Sequence, residues 1–364
     1  MSGGARRPFL LAHALRDAGA SVFVVAPSLP DGEDGCAVSH PNRDPSAQIS
    51  PRKKNLRDFS RDWLLWPDPD IRWASRAADA AATAYANYAP GAPDWVLTTS
   101  PPESIHAAGR ALKQLWPQVK WAADFRDHWL DAPHRRERLT LHRRIGERLI
   151  AQRWLTAPDL ITSVDKFIAD ELQTLGASAP HVLSHFAPPD LGLPAAALPA
   201  DAINIVHAGS IALSDPLADI NDLLKPFSIA AQTNPRLRLH FVGRLTDTEH
   251  RAIEESPAAT AIDLHGVKPY EEALGFIVGA DGLAYIASAK GNVPPSKIIE
   301  YLATDKPIIA CGEGPWRRDH RVNNADSTDI MKGLHKGDVR QTTIRPPSAK
   351  ETAERLLQLM ARAG

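Results

Sequence analysis

One carboxylate stands between a proline turn and an apolar run in the last quarter of the chain. The segment "NVPPSKIIEYLATDKPIIA" covers residues 292–310 and holds this carboxylate at Glu300. The prolines preset φ and make Ser296 a candidate N-cap, which puts Lys297 in the first helical turn and Glu300 about one turn later. A helix N-terminus beside a lysine attracts a diphosphate, and a carboxylate there can accept hydrogen bonds from ribose hydroxyls. A capping arrangement with a solvated ion pair is an equally open interpretation.

Two predicted strands end in a glycine. "INIVHAG" ends at Gly209, which precedes Ser210, and "LHFVG" ends at Gly243, which precedes Arg244. Open parallel sheets bind ligands beyond the carboxyl ends of their strands, where backbone amides after a glycine can approach an anion. We therefore consider both positions candidates for a phosphate site. The alternative is that each glycine only closes a strand-to-helix turn.

A dense group of ionisable side chains follows another predicted strand. The stretch "ADFRDHW" holds Asp124, Arg126, Asp127 and His128. Charges packed at the end of a strand indicate a functional site, because an inert turn gains little from partly buried ions. The alternative is a structural Asp–Arg pair that locks the loop.

The elements that must position these residues alternate along the chain. Short apolar runs and helix-period segments follow one another, which predicts an α/β protein with two Rossmann-like, doubly wound parallel sheets. The predicted strands cover 21–27, 94–100, 119–127, 159–164, 203–209, 237–243, 261–266, 282–287 and 307–311.

Two domains are expected for a chain of 364 residues, since domains usually hold roughly 150 to 200 residues. The segment "APPDLGLPAAALPAD" (187–201) is rich in proline and alanine and suits a hinge. We predict domains 1–195 and 196–364, the last helix, about 348–364, being free to pack back on the first domain.

The start of the chain departs from this pattern. A doubly wound domain normally opens with a strand, whereas this chain begins with the glycine-containing turn "MSGGARRP" and a helix. We predict that the N-terminal domain lacks its first strand, or that the natural start lies upstream. The alternative is a disordered leader that contains Gly3 and Gly4 by coincidence.

Composition excludes several classes of function. The net charge of -1 gives no bulk attraction to nucleic acid. Cys36 and Cys311 match no metal-ligand spacing and no predicted helix carries a spaced histidine pair, so we expect no metal and no cofactor. No apolar run reaches the roughly 18 residues that span a bilayer, and there is no signal-peptide pattern. These features predict a cytoplasmic protein.

Segments from both halves of the chain resemble retaining GT-B glycosyltransferases of family 4, of the type that builds bacterial cell-surface polysaccharides. "VPPSKIIEYLATDKPIIA" resembles their donor-site segment. "TTSPPESIHAAGRALK" and "WAADFRDHW" resemble segments that follow two strands of the N-terminal domain, and "GGARRPFLLAHALRDAGASVFVVAP" resembles the N-terminal loop, helix and second strand. The resemblance implies two domains that face a cleft. It also implies metal-independent hexosyl transfer from a nucleoside diphosphate sugar, bound by the C-terminal domain, to a lipid-linked glycan, bound mainly by the N-terminal domain.

The resemblance also assigns roles to residues. Glu300 is implied to bind the ribose, Ser296 and Lys297 to lie by the diphosphate, and the Gly3-Gly4 loop to face the diphosphate and the sugar from the other domain. Arg126, Asp127 and His128 become the catalytic candidates. The donor-binding candidates are Gly3, Gly4, Gly209, Ser210, Gly243, Arg244, Gly266, Val267, Asn292, Pro295, Ser296, Lys297 and Glu300, with Gly266 and Val267 at the base.

Three positions depart from the family pattern. Asn292 stands where a second acid is common, and Ser210 and Asp215 stand where an arginine and a lysine neutralise the leaving diphosphate. Loss of both cations would weaken transition-state stabilisation unless others replace them, and Arg244 and Lys297 are the candidates. The departures leave two alternatives open: a catalytically silent GT-B protein that binds a ligand or partner, and a nucleotide-sugar epimerase.

Two basic stretches lie in the first half of the chain. "PRKKNLRDFSRDWLLW" contains the cations Arg52, Lys53, Lys54, Arg57 and Arg61 beside Trp63 and Trp66, and "HRRERLTLHRRIGERLIAQRW" contains seven arginines and two glutamates. Cations beside tryptophans suit an anionic bilayer surface, so we predict peripheral attachment to the inner face of the cell membrane. A solvated helix face is the alternative.

Overall fold

The computed structural model describes residues 3–40, 65–131, 140–187, 192–287, 297–318, 322, 325–339 and 344–363. The chain forms two compact units: Met1–Ser184 with Ala349–Gly364, and His185–Ser348. The segment before the second unit's first strand packs within that unit, since the Ala196 amide donates to the Gly275 carbonyl at 2.9 Å. Which domain binds donor and which binds acceptor stays a prediction.

The first unit contains a four-stranded parallel sheet and a separate parallel strand pair. Its strands are β1 (Val24–Ala26), β2 (Gly35–Ala37), β3 (Trp95–Ser100), β4 (Lys120–Phe125), β5 (Leu160–Ser163) and β6 (His181–Val182). Its helices before the second unit are α1 (Gly3–Asp17), α2 (Ile71–Tyr88), α3 (Ile105–Leu115), α4 (Leu141–Trp154) and α5 (Lys166–Thr174). The sheet order is β3-β4-β5-β6, and the pair is β1-β2.

The second unit contains a five-stranded parallel sheet with helices between its strands. Its strands are β7 (Ile203–Ala208), β8 (Leu237–Val242), β9 (Ile262–Gly266), β10 (Gly282–Ile286) and β11 (Ile308–Cys311). Its helices are α6 (Asn221–Thr233), α7 (Asp247–Glu254), α8 (Tyr270–Gly279), α9 (Ile298–Leu302) and α10 (Ser327–Lys332). The order β11-β10-β7-β8-β9 reverses the direction of strand addition between β7 and β10. Ligands of such sheets bind beyond the carboxyl ends of the strands at this switch point.

The predicted strands are confirmed in both units. Those at the centre of each sheet are apolar runs buried on both faces, as parallel strands require. Every residue of β7 is buried, as is every residue of β10 and β11. The C-terminal helix α11 (Ala349–Arg362) packs against α1 of the first unit. Lys120 Nζ at the start of β4 donates to the Ala363 carbonyl at 3.3 Å, which ties the end of the chain to that sheet.

The predicted loop at Gly3 and Gly4 is wrong, because α1 already begins at Gly3. Glycine costs only about 1 kcal/mol relative to alanine within a helix, which the rest of a long helix can offset. The missing first strand stays a prediction.

A buried ionic network joins α1 to the sheet of the first unit. Asp124, at the end of β4, is 1% exposed. Its carboxylate accepts from the Arg7 guanidinium at 2.5 Å and from the hydroxyls of Thr99 and Thr162 at 2.8 Å each. Burial would raise the pKa of Asp124, but the Arg7 charge and the hydroxyl hydrogen bonds hold that pKa below its usual value. A structural Asp–Arg pair is therefore present, with Arg7 as the arginine.

Asp124→Ala should destabilise the protein by about 3 to 5 kcal/mol, because it leaves the Arg7 guanidinium buried without its counter-charge. Urea unfolding of the full chain measures this loss as a change in the free energy of unfolding. Asp170→Ala is the matched control, since its ion pair with Lys166 lies on the surface of α5 and contributes less than about 1 kcal/mol. Equal losses in the two variants would contradict the role given to the buried pair.

Candidate functional site

A glycine with positive φ lies at the end of, or directly after, three strands of the second unit. The angles are +102° at Gly209, +152° at Gly243 and +66° at Gly266. A β-carbon at Gly243 would lie 2.5 Å from the carbonyl oxygen of Gly209, so only glycine allows the two backbones to approach this closely. β7, β8 and β9 therefore end side by side in a compact backbone edge.

The amides of two of these glycines already have partners. The Gly209 amide donates to the Val242 carbonyl at 2.7 Å, and the Gly243 amide donates to the Gly266 carbonyl at 2.8 Å. An anion at this edge must therefore use the amides of the residues that follow, beginning with Ser210 after β7.

The ammonium of Lys297 lies at the end of β7. Its Nζ is 3.2 Å from His207 Nε2, and a β-carbon at Gly209 would lie 3.3 Å from it. His207 Nδ1 is 3.0 Å from the Ala284 carbonyl, to which it can only donate. His207 Nε2 is therefore the unprotonated ring nitrogen and accepts a hydrogen bond from Lys297.

The electrostatics of this pair fix its protonation. Burial lowers the pKa of Lys297 to about 8, against the opposing charge of Glu300. Burial, followed by the Lys297 charge, holds the pKa of His207 well below its usual value, and the hydrogen bond to Ala284 only partly opposes this. At neutral pH the pair is a cationic lysine beside a neutral imidazole. One positive charge is thereby fixed next to Ser210, where the family pattern would place an arginine.

Tyr301 holds α9 under the switch point. Its hydroxyl accepts from the Ala208 amide at 3.0 Å and donates to the Ala284 carbonyl at 3.3 Å, so it bridges β7 and β10. Burial raises the pKa of Tyr301, which keeps the hydroxyl protonated. The structure begins α9 at Ile298 with Lys297 in the N-cap position, so Lys297 is not in the first turn as predicted.

Glu300 lies in α9, on the turn after Lys297, and has a neighbour that the sequence did not reveal. Its Oε1 accepts a hydrogen bond from the Tyr270 hydroxyl at 2.9 Å. Tyr270 is the first residue of α8, and nothing in the sequence links the two positions. His207 was also missed, although a histidine in an otherwise apolar strand is a usable signal.

The remaining donor candidates are placed as follows, and their roles stay predictions. Ser210 shares a hydrogen bond with the Ser214 hydroxyl at 2.6 Å, and Asp215 accepts from the Leu217 amide at 3.2 Å. Arg244 is exposed after β8, and Val267 is 65% exposed after β9. The candidates outside the described residues are Asn292, Pro295 and Ser296.

The catalytic candidates of the first unit lie in the loop after β4. Arg126 Nε donates to the Ser100 carbonyl at 2.9 Å, which ties this loop to the end of β3. His128 is buried and shares a hydrogen bond of 2.7 Å with Glu171 of α5 through Nδ1. Asp127, between them, is exposed. The catalytic roles of all three stay predictions.

Glu171 organises the same loop, although no motif in the sequence indicates it. Its carboxylate also accepts from the backbone amides of Trp129, Leu130 and Asp131 at 2.7 to 3.1 Å. Burial would raise its pKa, but the hydrogen bond and charge of His128 and the backbone amides hold that pKa below its usual value. The loop conformation thus depends on one buried carboxylate from another element.

Within the described part of the chain, no group of three or more histidines, cysteines or acids could hold a metal ion. No helix described here is both long and apolar enough to cross a bilayer.

Comparison with known proteins shows the fold. No protein-family model and no curated protein matches this sequence. Sucrose-phosphate synthase from Thermosynechococcus elongatus matches with a TM-score of 0.55 and 14% identity over 100% of this chain and 85% of that one. AviGT4, a glycosyltransferase involved in avilamycin A biosynthesis, matches with a TM-score of 0.55 and 14% identity. The match covers 100% of this chain and 90% of AviGT4. A putative UDP-N-acetylglucosamine 2-epimerase from Listeria monocytogenes matches with a TM-score of 0.51 and 12% identity. The match covers 96% of this chain and 92% of the epimerase. The predicted GT-B class of fold, with Rossmann-like parallel sheets, is confirmed.

Binding of a nucleoside diphosphate should weaken as the pH rises through about 8, by up to about tenfold per unit, because the Lys297 ammonium then loses its proton in the free protein. The phosphates are already ionised there, since their last pKa is about 6. Calorimetric titration between pH 7 and pH 10 measures the profile.

Lys297→Gln should bind more weakly at neutral pH and show no such dependence. Lys332→Gln, which changes an exposed lysine of the same unit, should keep the parental profile. An equally flat profile for the parent protein and Lys297→Gln would remove the diphosphate assignment of this lysine.

Proposed function

We propose that the protein is a metal-independent, retaining glycosyltransferase similar to family 4, which moves a hexose from a nucleoside diphosphate sugar to a lipid-linked glycan. The observation that carries the proposal is the Lys297 ammonium held against Gly209 beside the switch point of the second unit. A diphosphate is recognised by fixed positive charge and backbone amides, and this edge offers both at the place where such sheets bind ligands.

Lys297 acts on the leaving group. When the bond between the anomeric carbon and the diphosphate oxygen breaks, negative charge builds up on the diphosphate. An ammonium already oriented by His207 stabilises that charge without reorganising during the reaction. This cation takes the place of the arginine that Ser210 lacks, and Arg244 after β8 is the second candidate.

Glu300 binds the ribose of the donor. The Tyr270 hydroxyl fixes the orientation of its carboxylate at Oε1, and a carboxylate held in this way accepts hydrogen bonds from vicinal hydroxyls. Gly266 and Val267, beyond the end of β9, are assigned to the base. In this proposal the second unit, His185–Ser348, is the donor domain.

The first unit binds the acceptor. Asp127, exposed between two loop-anchored side chains, is the proposed group that meets the sugar or acceptor, with Arg126 and His128 setting its position. The resemblance to bacterial polysaccharide enzymes and the basic stretches support a lipid-linked glycan at the cytoplasmic face of the cell membrane. Of the first basic stretch, only Leu65 and Trp66 lie within the described residues, and the Trp66 ring packs against Gly146 and under the Arg143 guanidinium.

A nucleotide-sugar epimerase is the second candidate, because the epimerase structure shares this fold at a TM-score of 0.51. Incubation with a panel of nucleoside diphosphate sugars, followed by proton NMR, separates the possibilities. A transferase releases nucleotide in an acceptor-dependent manner and yields a product with the donor's anomeric configuration. An epimerase converts the donor without an acceptor. Binding without any turnover would leave the catalytically silent protein that Ser210 and Asp215 suggest.

Glu300→Ala should weaken nucleotide binding by about 1 to 3 kcal/mol, because two ribose hydroxyls lose their hydrogen-bond acceptor. Isothermal titration with the preferred nucleoside diphosphate measures the change, and urea unfolding should show nearly unchanged stability. The control is Glu254→Ala, on the exposed side of α7. Parental affinity in Glu300→Ala would end the ribose assignment.

A further inference from the structure

Helix α4 turns one ion pair inward. Arg143 and Glu147, one turn apart, are 8% and 0% exposed and form an ion pair of 3.0 Å. The Arg143 guanidinium also donates to the carbonyls of Leu65 and Pro67 at 2.9 Å each and stacks over the Trp66 ring. These polar contacts fix the inner face of α4 against residues 65–67.

The opposite face carries aliphatic side chains in water. Leu141, Ile145 and Leu149 are 77%, 55% and 61% exposed. Their spacing of four residues places them in one line along the helix. A water-soluble helix normally buries its aliphatic stripe, whereas α4 exposes it and buries an ion pair instead. We call these three residues the outer stripe.

Cations flank the outer stripe on both sides. Arg144 and Arg148 follow one edge, and Arg153 lies near the other, all in positions that helical geometry puts beside the stripe. The acid within α4 is Glu147, which is buried, so the exposed face of this helix is apolar and cationic. Arg144 also lies 3.8 Å from the Asp131 carboxylate of the preceding loop.

We propose that the outer stripe of α4 docks the protein on an anionic lipid surface, with the three aliphatic side chains in the boundary between headgroups and acyl chains. Interfacial helices carry this combination of an apolar line and a basic rim. Each arginine near an anionic leaflet is attracted to the negatively charged headgroups. Transfer of the three aliphatic side chains out of water adds a hydrophobic contribution to binding.

The charges disfavour the other occupant, a second copy of this chain. A two-fold pairing of α4 with itself would bring the arginine rims of both copies together, and the exposed face of α4 carries no acid to neutralise them. Like charges placed opposite each other in an interface are repulsive, whereas an anionic bilayer offers the opposite charge to both rims.

The docking surface rests on the proposed function for the lipid-linked acceptor, but the stripe itself is independent of the donor site. It differs from the first basic stretch, since its apolar contribution comes from aliphatic residues of α4. A protein held at the membrane by this face would meet its acceptor by diffusion in two dimensions.

The test is flotation of the full chain with phosphatidylcholine vesicles that do or do not contain about a third phosphatidylglycerol. The parent should float with the anionic vesicles and lose binding as salt is raised toward about 1 M, where the screening length falls to about 3 Å. The triple variant Leu141→Gln, Ile145→Gln and Leu149→Gln should bind at least about tenfold more weakly, because no aliphatic side chain then leaves water. Arg148→Gln with Arg153→Gln should weaken binding about fivefold for each charge removed.

The matched control carries Leu115→Gln, Ile229→Gln and Val339→Gln, which changes three exposed aliphatic residues on other elements. It should float as the parent does. All variants should show parental thermal shifts with nucleoside diphosphates, so a failure of flotation is distinguishable from a failure of donor binding.

Parental flotation by the stripe variant overturns the proposal, and so does a parent that does not float. Light scattering on the same samples adds a decisive outcome. If the parent is a dimer and the stripe variant is a monomer, with flotation unchanged, the stripe is an interface between two copies instead.

Discussion

The contact between Lys297 Nζ and His207 Nε2 is the interaction on which the proposed chemistry depends. It places one cation at the end of β7 because the other imidazole nitrogen is engaged by the Ala284 carbonyl of β10. The Tyr301 hydroxyl holds α9 to the same two strands, and Gly209 leaves the space that the ammonium needs. Strand order, helix position and charge are therefore coupled at a single point of the sheet. A protein that lacks the usual arginine at Ser210 can still present positive charge to a diphosphate there.

Buried charge in the first unit serves a different purpose. Asp124 joins α1 to the sheet, Glu171 holds the loop after β4, and Glu147 pairs with Arg143 on the buried face of α4. Each carboxylate accepts several hydrogen bonds or a full counter-charge, as burial of an ion requires. The group "ADFRDHW", which could have been wholly functional or wholly structural, is divided. Asp124 and His128 have buried partners, whereas Asp127 lies at the surface.

The sequence was sufficient for the features that depend on local pattern. Apolar runs located the strands, and glycines at strand ends located the edge at which Gly209 and Gly243 touch. It failed where a residue's partner is distant in the chain. The contacts of Glu171 with His128 and of Tyr270 with Glu300 join elements more than twenty residues apart, and periodicity carries no information about them. The Gly3-Gly4 segment matches the glycine-containing turn near the start of doubly wound domains, yet the structure begins α1 at Gly3, because the cost of glycine in a helix is small. The same holds for the outer face of α4, since the spacing of Leu141, Ile145 and Leu149 puts them in one line but does not tell whether that line is covered.

The central claim, that the Lys297 edge of the second unit binds a nucleoside diphosphate, is tested most directly by a thermal-shift screen. The parent protein and Lys297→Gln should be compared with the common nucleoside diphosphates, each beside the matching unphosphorylated nucleoside. A ligand at about 100 times its dissociation constant stabilises the folded state by about 2.7 kcal/mol. The account predicts that at least one diphosphate raises the melting temperature of the parent, that its nucleoside does not, and that Lys297→Gln loses most of the shift. A parent that responds to no diphosphate, or a Lys297→Gln variant that responds as strongly as the parent, would contradict it.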